Sequence, residues 1–314
     1  MAKLSAAVIG AGRLGTLHAA KYAALEQVRL RYIVDIDLPR AQALAAASGA
    51  EALTDYRLLQ GRVDLASVAT PTLSHAEIAS FLLESNIDVL LEKPMTATLA
   101  EARELAALAE RSSALLQVGH LERFNPAVRR LPPILAHPRY VECHRLAPFT
   151  ERGTDVDVVF DLMVHDLDLI LSLAQAPVVA VEALGVAVLT DRIDVANARL
   201  RFADGMIANI NTSRVAPRRE RKIRFFQPDA YISLDYEART LQIYRKQPPA
   251  PGAAYPTISA ELIDLHEGDP LAEQIGEFVS AASARSAPRV GAQEGLQVIE
   301  LCQWVSSQIA AGQP

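Results

Sequence analysis

Leu4-Ser5-Ala6-Ala7-Val8-Ile9-Gly10-Ala11-Gly12-Arg13-Leu14-Gly15 is the stretch that decides the fold of this chain. A mostly apolar run passes directly into glycines spaced Gly10-x-Gly12-x-x-Gly15, and an amphipathic segment with Leu14 and Leu17 follows. Glycines at that spacing permit a tight turn and a close backbone approach, while the helix behind them turns its positive end toward a pyrophosphate. A glycine-rich turn of no special purpose would share the spacing. The strand before it and the helix after it favour a dinucleotide, bound at Gly10, Gly12, Arg13, Leu14 and Gly15.

The rhythm continues to about Leu121. Apolar runs at 28–35, 65–70, 87–92 and 115–118 alternate with helical segments. Run 28–35 alternates at its start; the others are nearly continuous, as in parallel strands covered on both faces. Ser74 with Glu77 and Thr98 with Glu101 have capping-box spacing at two helix starts. Strand-helix alternation of this kind predicts an α/β fold, a doubly wound parallel sheet of the Rossmann type over residues 1–121. After Phe124-Asn125-Pro126 the pattern changes. Strands are expected at 140–149, 178–188, 196–202, 206–213, 221–226 and 231–236, with helices at 161–174, 271–284 and 293–310. Ala203-Asp204-Gly205 supplies a hairpin turn, and the proline-rich 247–252 reads as a loop. Residues 122–314 thus form a second α/β domain with a mostly antiparallel open sheet, its last helix returning to the first domain.

Composition narrows the partners. A chain of 314 residues, half hydrophobic and 22% charged, has room for about two globular domains. A net charge of −6 argues against nucleic acid, whose binding rests on neutralised phosphates. Cys143 and Cys302 lack the spacing of a disulfide framework or a zinc site. No apolar run has the length of a membrane span, and Leu4–Ile9 lacks the flanks of a leader. A cytoplasmic protein without membrane contact is expected.

Several residue sets carry chemistry. Asp35, twenty residues beyond Gly15 at the end of the second run, suits the ribose hydroxyls of NAD and repels the extra phosphate of NADP. Otherwise Asp35 or Asp37 caps the next helix, with Arg40 on its exposed face. Thr70, Pro71 and His75 follow another strand end, where they either border the dinucleotide or merely break the strand. Glu92-Lys93-Pro94 closes the run 87–92, at the edge where doubly wound sheets bind ligands. Lys93 there suits a substrate hydroxyl, with Glu92 orienting it; otherwise it is a surface lysine whose neighbour Pro94 ends the strand. To act as a base it would need its pKa of about 10.4 lowered. Asp161 and His165, at i and i+4, share a helix face, either as a carboxylate and the imidazole it orients or as part of the solvated acidic side of an amphipathic helix. Asp166 and Asp168 point to other faces, which disfavours a metal. Residues 214–224 hold six basic side chains in eleven, suited to a diphosphate or to the solvated face of a strand pair.

In order, Gly10-x-Gly12-x-x-Gly15, Asp35, Ala69-Thr70-Pro71 with His75, Glu92-Lys93-Pro94, Arg123-Phe124-Asn125-Pro126-Ala127 and Asp161-x-x-x-His165-x-x-Asp168 resemble the Gfo/Idh/MocA family of nicotinamide-dependent oxidoreductases. The resemblance implies NAD as cofactor, a sugar or polyol substrate, and a homodimer or homotetramer joined through the open sheet. It places Lys93, Asp161 and His165 at the reacting carbon, and Glu92 beside the cofactor. Met163 stands where many members carry glycine. A narrower likeness, through 118–126, 157–166 and Ser213-Arg214-Val215, is to the branch that oxidises the 3-hydroxyl of UDP-N-acetylglucosamine for lipid A synthesis. It implies substrate contacts from Arg123, Asn125, His165 and Arg214. An inositol or free-sugar dehydrogenase and a non-catalytic NAD redox sensor are the alternatives.

Overall fold

The computed structural model describes residues 3–150, 156–252, 254–265 and 268–312. In chain order the first part runs β1 (Leu4–Ile9), α1 (Arg13–Ala24), β2 (Val28–Val34), α2 (Leu38–Ser48), β3 (Glu51–Leu53), β4 (Leu65–Val68), α3 (His75–Glu84), β5 (Asp88–Glu92), α4 (Leu99–Arg111) and β6 (Leu116–Gly119). The strands form one parallel sheet in the order β3-β2-β1-β4-β5-β6. Every residue of β4, β5 and β6 is buried, which is why their sequences carry no alternation. The strand order reverses beside β1, so the crevice beyond the carboxyl ends of β1 and β4 is the switch point where such sheets bind ligands.

The second part runs α5 (Pro126–Arg129), β7 (Tyr140–Leu146), a π-helical turn (Val159–Met163), α6 (Val164–Leu173), β8 (Val178–Val186), β9 (Val195–Phe202), β10 (Ile207–Ser213), β11 (Glu220–Gln227), β12 (Ala230–Asp235), β13 (Thr240–Gln247) and β14 (Thr257–Asp264). Its sheet has the order β14-β13-β12-β11-β7-β10-β9-β8, antiparallel at every pairing except β7 with β10. Burial alternates strictly along β7 and β9, one face packed and the other open. The chain closes with α7 (Pro270–Ala284) and α8 (Ala292–Ala311).

The described residues divide into two compact units, one holding those through Phe124 plus Asp269–Glu300, the other Asn125–Gly268 and those from Leu301 on. The return of the late segment has a packing cause. Ile275, Phe278 and Val279 of α7 are fully buried in one core with Val8, Ile33, Leu65 and Leu90. The sequence places all of 122–314 in the second domain and sends only the last helix back, whereas here α7 and the start of α8 group with the first sheet.

Other differences are local. β3 is only Glu51-Ala52-Leu53 and partly exposed, too short for a periodicity. β13 and β14 form a further hairpin, and the proline-rich stretch links them. Thr98 and Glu101 make the reciprocal capping box. Ser74 does not: its hydroxyl donates to Thr70 Oγ1 and Pro71 O, while Glu77 accepts from Tyr56 and Arg57. Thr98→Ala is therefore expected to cost about 1 kcal/mol in denaturant unfolding. Loss of as much stability in Ser74→Ala would contradict the assignment of the caps.

Candidate functional site

The glycine turn is built by contact. Gly10 has φ +97°, and a Cβ on it would lie 2.5 Å from Ala69 O. A Cβ on Gly15 would fall 1.7 Å from Gly10 O, so α1 can pack onto the turn only without a side chain there. Gly12 is different: its Cβ direction opens on space with no atom within 4 Å. Helix α1 starts with no side-chain cap and no acidic residue in its first turn. Arg13 and Leu14 are exposed beside it. That positive helix end, bare and reachable over Gly12, fits a pyrophosphate.

Asp35 secures the same turn. Its Oδ2 accepts the Ala11 N–H at 2.7 Å and its Oδ1 the Asp37 N–H at 2.9 Å. Asp37 is the residue that caps α2, and Arg40 lies exposed beside it, 3.4 Å from its carboxylate. Asp35 thus stands at the end of β2 as a carboxylate already oriented by backbone amides.

Thr70 and Pro71 follow β4, and Glu92, Lys93 and Pro94 close β5. His75 ties these two strand ends together. It is 1% exposed, with Nδ1 2.9 Å from Pro94 O and Nε2 3.0 Å from Thr70 O. Burial pushes its pKa down, against the raising influence of those carbonyls and of Glu92. His75 is a crossbar behind the site, not a group on its surface. Lys93 is half-buried, and Glu92 is buried with Oε1 2.9 Å from His18 Nε2. No sequence pattern marks His18, since its partners stand 49 and 74 residues away.

In the second unit the segment of Asp161 and His165 begins as a π-turn, a distortion common at functional sites. Both residues are half-buried, and between them Met163 and Val164 are fully buried. The next residue, Asp166, anchors α6 to the sheet. Arg145 of β7 grips it with Nε to Oδ2 at 2.8 Å and Nη2 to Oδ1 at 2.9 Å, the two residues 2% and 1% exposed. Among the described residues, no cluster of three or more His, Cys, Asp and Glu is placed to hold a metal.

Arg214 lies inside this unit, 4% exposed. Its Nη2 donates to Val156 O at 2.7 Å and its Nε stands 3.7 Å from Asp194 Oδ1, so it braces the chain just before the π-turn. Asp194 collects the N–H groups of Val188, Leu189 and Thr190 and the Thr190 hydroxyl. Burial pushes its carboxyl up, but these donors outweigh that and hold it at about 2. The basic run is largely matched by acids: Lys222 pairs with Asp235 at 3.1 Å and Arg224 with Glu142 at 2.9 Å. Arg123 sits in a 3-10 turn, Leu121–Phe124, and Asn125 caps α5 through the Ala127 N–H.

A parallel sheet with a bare glycine turn at its switch point defines the class as a dinucleotide-binding Rossmann fold. Residues 4–120 match the family described as "Oxidoreductase family, NAD-binding Rossmann fold", and residues 136–232 match the GFO/IDH/MocA C-terminal domain. The chain belongs to the Gfo/Idh/MocA oxidoreductase family. UDP-N-acetylglucosamine 3-dehydrogenase from Acidithiobacillus ferrooxidans is 39% identical over 286 residues, 90% of each chain. A solved structure of that enzyme has a TM-score of 0.91 at 36% identity, covering 99% of both chains. GenD2 from gentamicin A biosynthesis, solved with NAD, shares the fold: TM-score 0.84 at 22% identity, over 100% of this chain and 96% of that one.

Two measurements test the frame of the second unit. Arg145→Ala is expected to lose about 3–5 kcal/mol in denaturant unfolding, because Asp166 is left buried without its guanidinium. A loss below about 1 kcal/mol would show the pair to be dispensable. Asp194 has its pKa depressed on folding, so its stabilisation is complete above the ordinary carboxylate value of 3.8 and fades as pH falls toward about 2. The melting temperature of the parent protein should therefore drop more steeply across that interval than that of Asp194→Asn; parallel curves would contradict the assignment.

Proposed function

We propose that this chain oxidises the 3-hydroxyl of UDP-N-acetylglucosamine to a ketone. The observation that carries the reading is the likeness to a UDP-N-acetylglucosamine 3-dehydrogenase over 99% of both chains, which includes the second unit, where substrates are chosen. When bound, NAD supplies the hydride acceptor at nicotinamide C4. The amides of the Gly10–Gly15 turn and the N-terminus of α1 take the pyrophosphate. Asp35 accepts from the adenosine ribose, and the Thr70-Pro71 edge borders the cofactor, with His75 fixing that edge from behind. Lys93 donates a hydrogen bond to the sugar oxygen. His165, oriented by Asp161, accepts the hydroxyl proton. Arg123 and Asn125 bind the nucleotide sugar. Arg214 serves it indirectly, by bracing the approach to the π-turn. The ketone product suits an aminotransferase, as lipid A synthesis in the cytoplasm requires.

A row of rings on the second sheet supports self-association as a homodimer or homotetramer. Tyr140, Phe226, Tyr231 and Tyr244 lie with successive centroids 5.4, 5.0 and 5.6 Å apart, and Phe226 is 36% exposed. Sedimentation should show an oligomer that Phe226→Glu shifts toward monomer; a monomeric parent protein would end this part of the reading.

The activity is tested by following NADH absorbance with UDP-N-acetylglucosamine, other UDP-sugars and an inositol. UDP-N-acetylglucosamine should turn over fastest. His165→Ala and Lys93→Ala should each lower kcat by about a hundredfold or more, with NAD affinity nearly unchanged. Faster turnover of an inositol or a free sugar would reassign the substrate. NAD binding without any turnover would favour a redox sensor.

A further inference from the structure

His18 and Tyr22 of α1 and Ser67 of β4 are polar, and all three are 0% exposed. They stand in file behind the end of β5. Tyr22 OH is 2.8 Å from Ser67 Oγ, Ser67 Oγ is 3.0 Å from His18 Nδ1, and His18 Nε2 is 2.9 Å from Glu92 Oε1.

The hydrogens can be assigned by elimination. Burial pushes the Tyr22 phenol well up, so it keeps its hydrogen. Among the described residues its hydrogen-bond partner is Ser67, so Tyr22 donates and Ser67 accepts. Ser67 then has its own hydrogen for His18, whose Nδ1 must present a lone pair. The remaining ring hydrogen sits on Nε2 and points at Glu92. With the directions reversed, the Tyr22 hydrogen would be buried without an acceptor. The file therefore runs one way and ends on a carboxylate. From the other side a Cβ on Gly119 would come within 3.1 Å of Glu92 Cα, Cδ and Oε1, so the carboxyl group lies directly against the backbone of β6.

We propose that neutral His18, held as its Nε2–H tautomer by Ser67 and Tyr22, pins the Glu92 carboxylate and through it sets the position of Lys93. His18 is a positioning residue for the oxidation. The proposal rests on the reading that Lys93 hydrogen-bonds the sugar oxygen. It makes α1 serve twice: its first turn faces the cofactor's pyrophosphate, and its second and third turns fix the strand end from which Lys93 projects. A rotating Glu92 would let the adjoining lysine wander, and small misplacements of a reacting group cost rate more than they cost ligand affinity.

Two variants separate positioning from packing. His18→Gln retains an N–H for Glu92 and a carbonyl oxygen for Ser67, whereas His18→Leu fills the space with neither. His18→Leu should lower kcat by about tenfold or more while NAD affinity changes by less than about threefold, and His18→Gln should recover most of the rate. Unchanged kcat in His18→Leu, or equal loss in both variants, would overturn the proposal. Nitrogen-15 spectra of histidine-labelled parent protein give a readout that needs neither substrate nor a folded Leu variant. The His18 signals, assigned by their loss in His18→Gln, should show a protonated Nε2 and a bare Nδ1. A doubly protonated ring or the Nδ1–H tautomer would overturn the file. If the parent protein turns over no sugar, the roles of Lys93 and the substrate fall, and the tautomer alone decides the proposal.

Discussion

The backbones of Gly10 and Gly15 leave no room between them for a side chain, and that constraint governs what surrounds them. With no side chain at Gly15, α1 settles directly on the turn after β1, and that seating carries two results. The helix end comes within reach of a ligand over Gly12, whose Cβ direction is open. Further along the same helix, His18 and Tyr22 arrive against Ser67 of β4 and Glu92 of β5. Any residue larger than glycine at position 15 would lift α1 away and separate both sets of partners. The open helix end and the file from Tyr22 to Glu92 thus depend on one steric fact.

The second unit reaches a comparable end by charge. Arg145 and Asp166 form a two-pronged pair in a dry interior, which is costly to form and more costly to half-remove. Its use here is orientation. It locks the residue next to His165 to a central strand, and Arg214 with Asp194 steadies the chain that leads into the π-turn. Asp166 and Asp168 are interior residues, each at most 1% exposed.

Much of this was legible in the sequence, for reasons that can be named. Parallel strands buried on both faces leave continuous apolar runs, and the runs at 65–70 and 87–92 stand out for that reason. The glycine turn was visible because its spacing lies directly between an apolar run and an amphipathic segment. What escaped was short, exposed or distant. β3 has three residues, and β14 is exposed along nearly its whole length, so neither shows a buried period. Ser74 had the spacing of a cap, but its hydroxyl was drawn to Thr70. That Arg214 is interior was not legible either, because a sequence cannot show that a guanidinium is buried. The file from Tyr22 to Glu92 joins residues that only folding brings together. No local pattern announces it.

Hydride transfer from C3 of a nucleotide sugar is the central claim, and isotope transfer tests it most directly. UDP-N-acetylglucosamine carrying deuterium only at C3 should be incubated with the protein and NAD, and the reduced cofactor weighed by mass spectrometry. NADH heavier by one mass unit at nicotinamide C4 is expected, with the sugar product a ketone free of the label. Reduced cofactor that forms without deuterium would mean that the hydride leaves from another carbon, and would contradict the account.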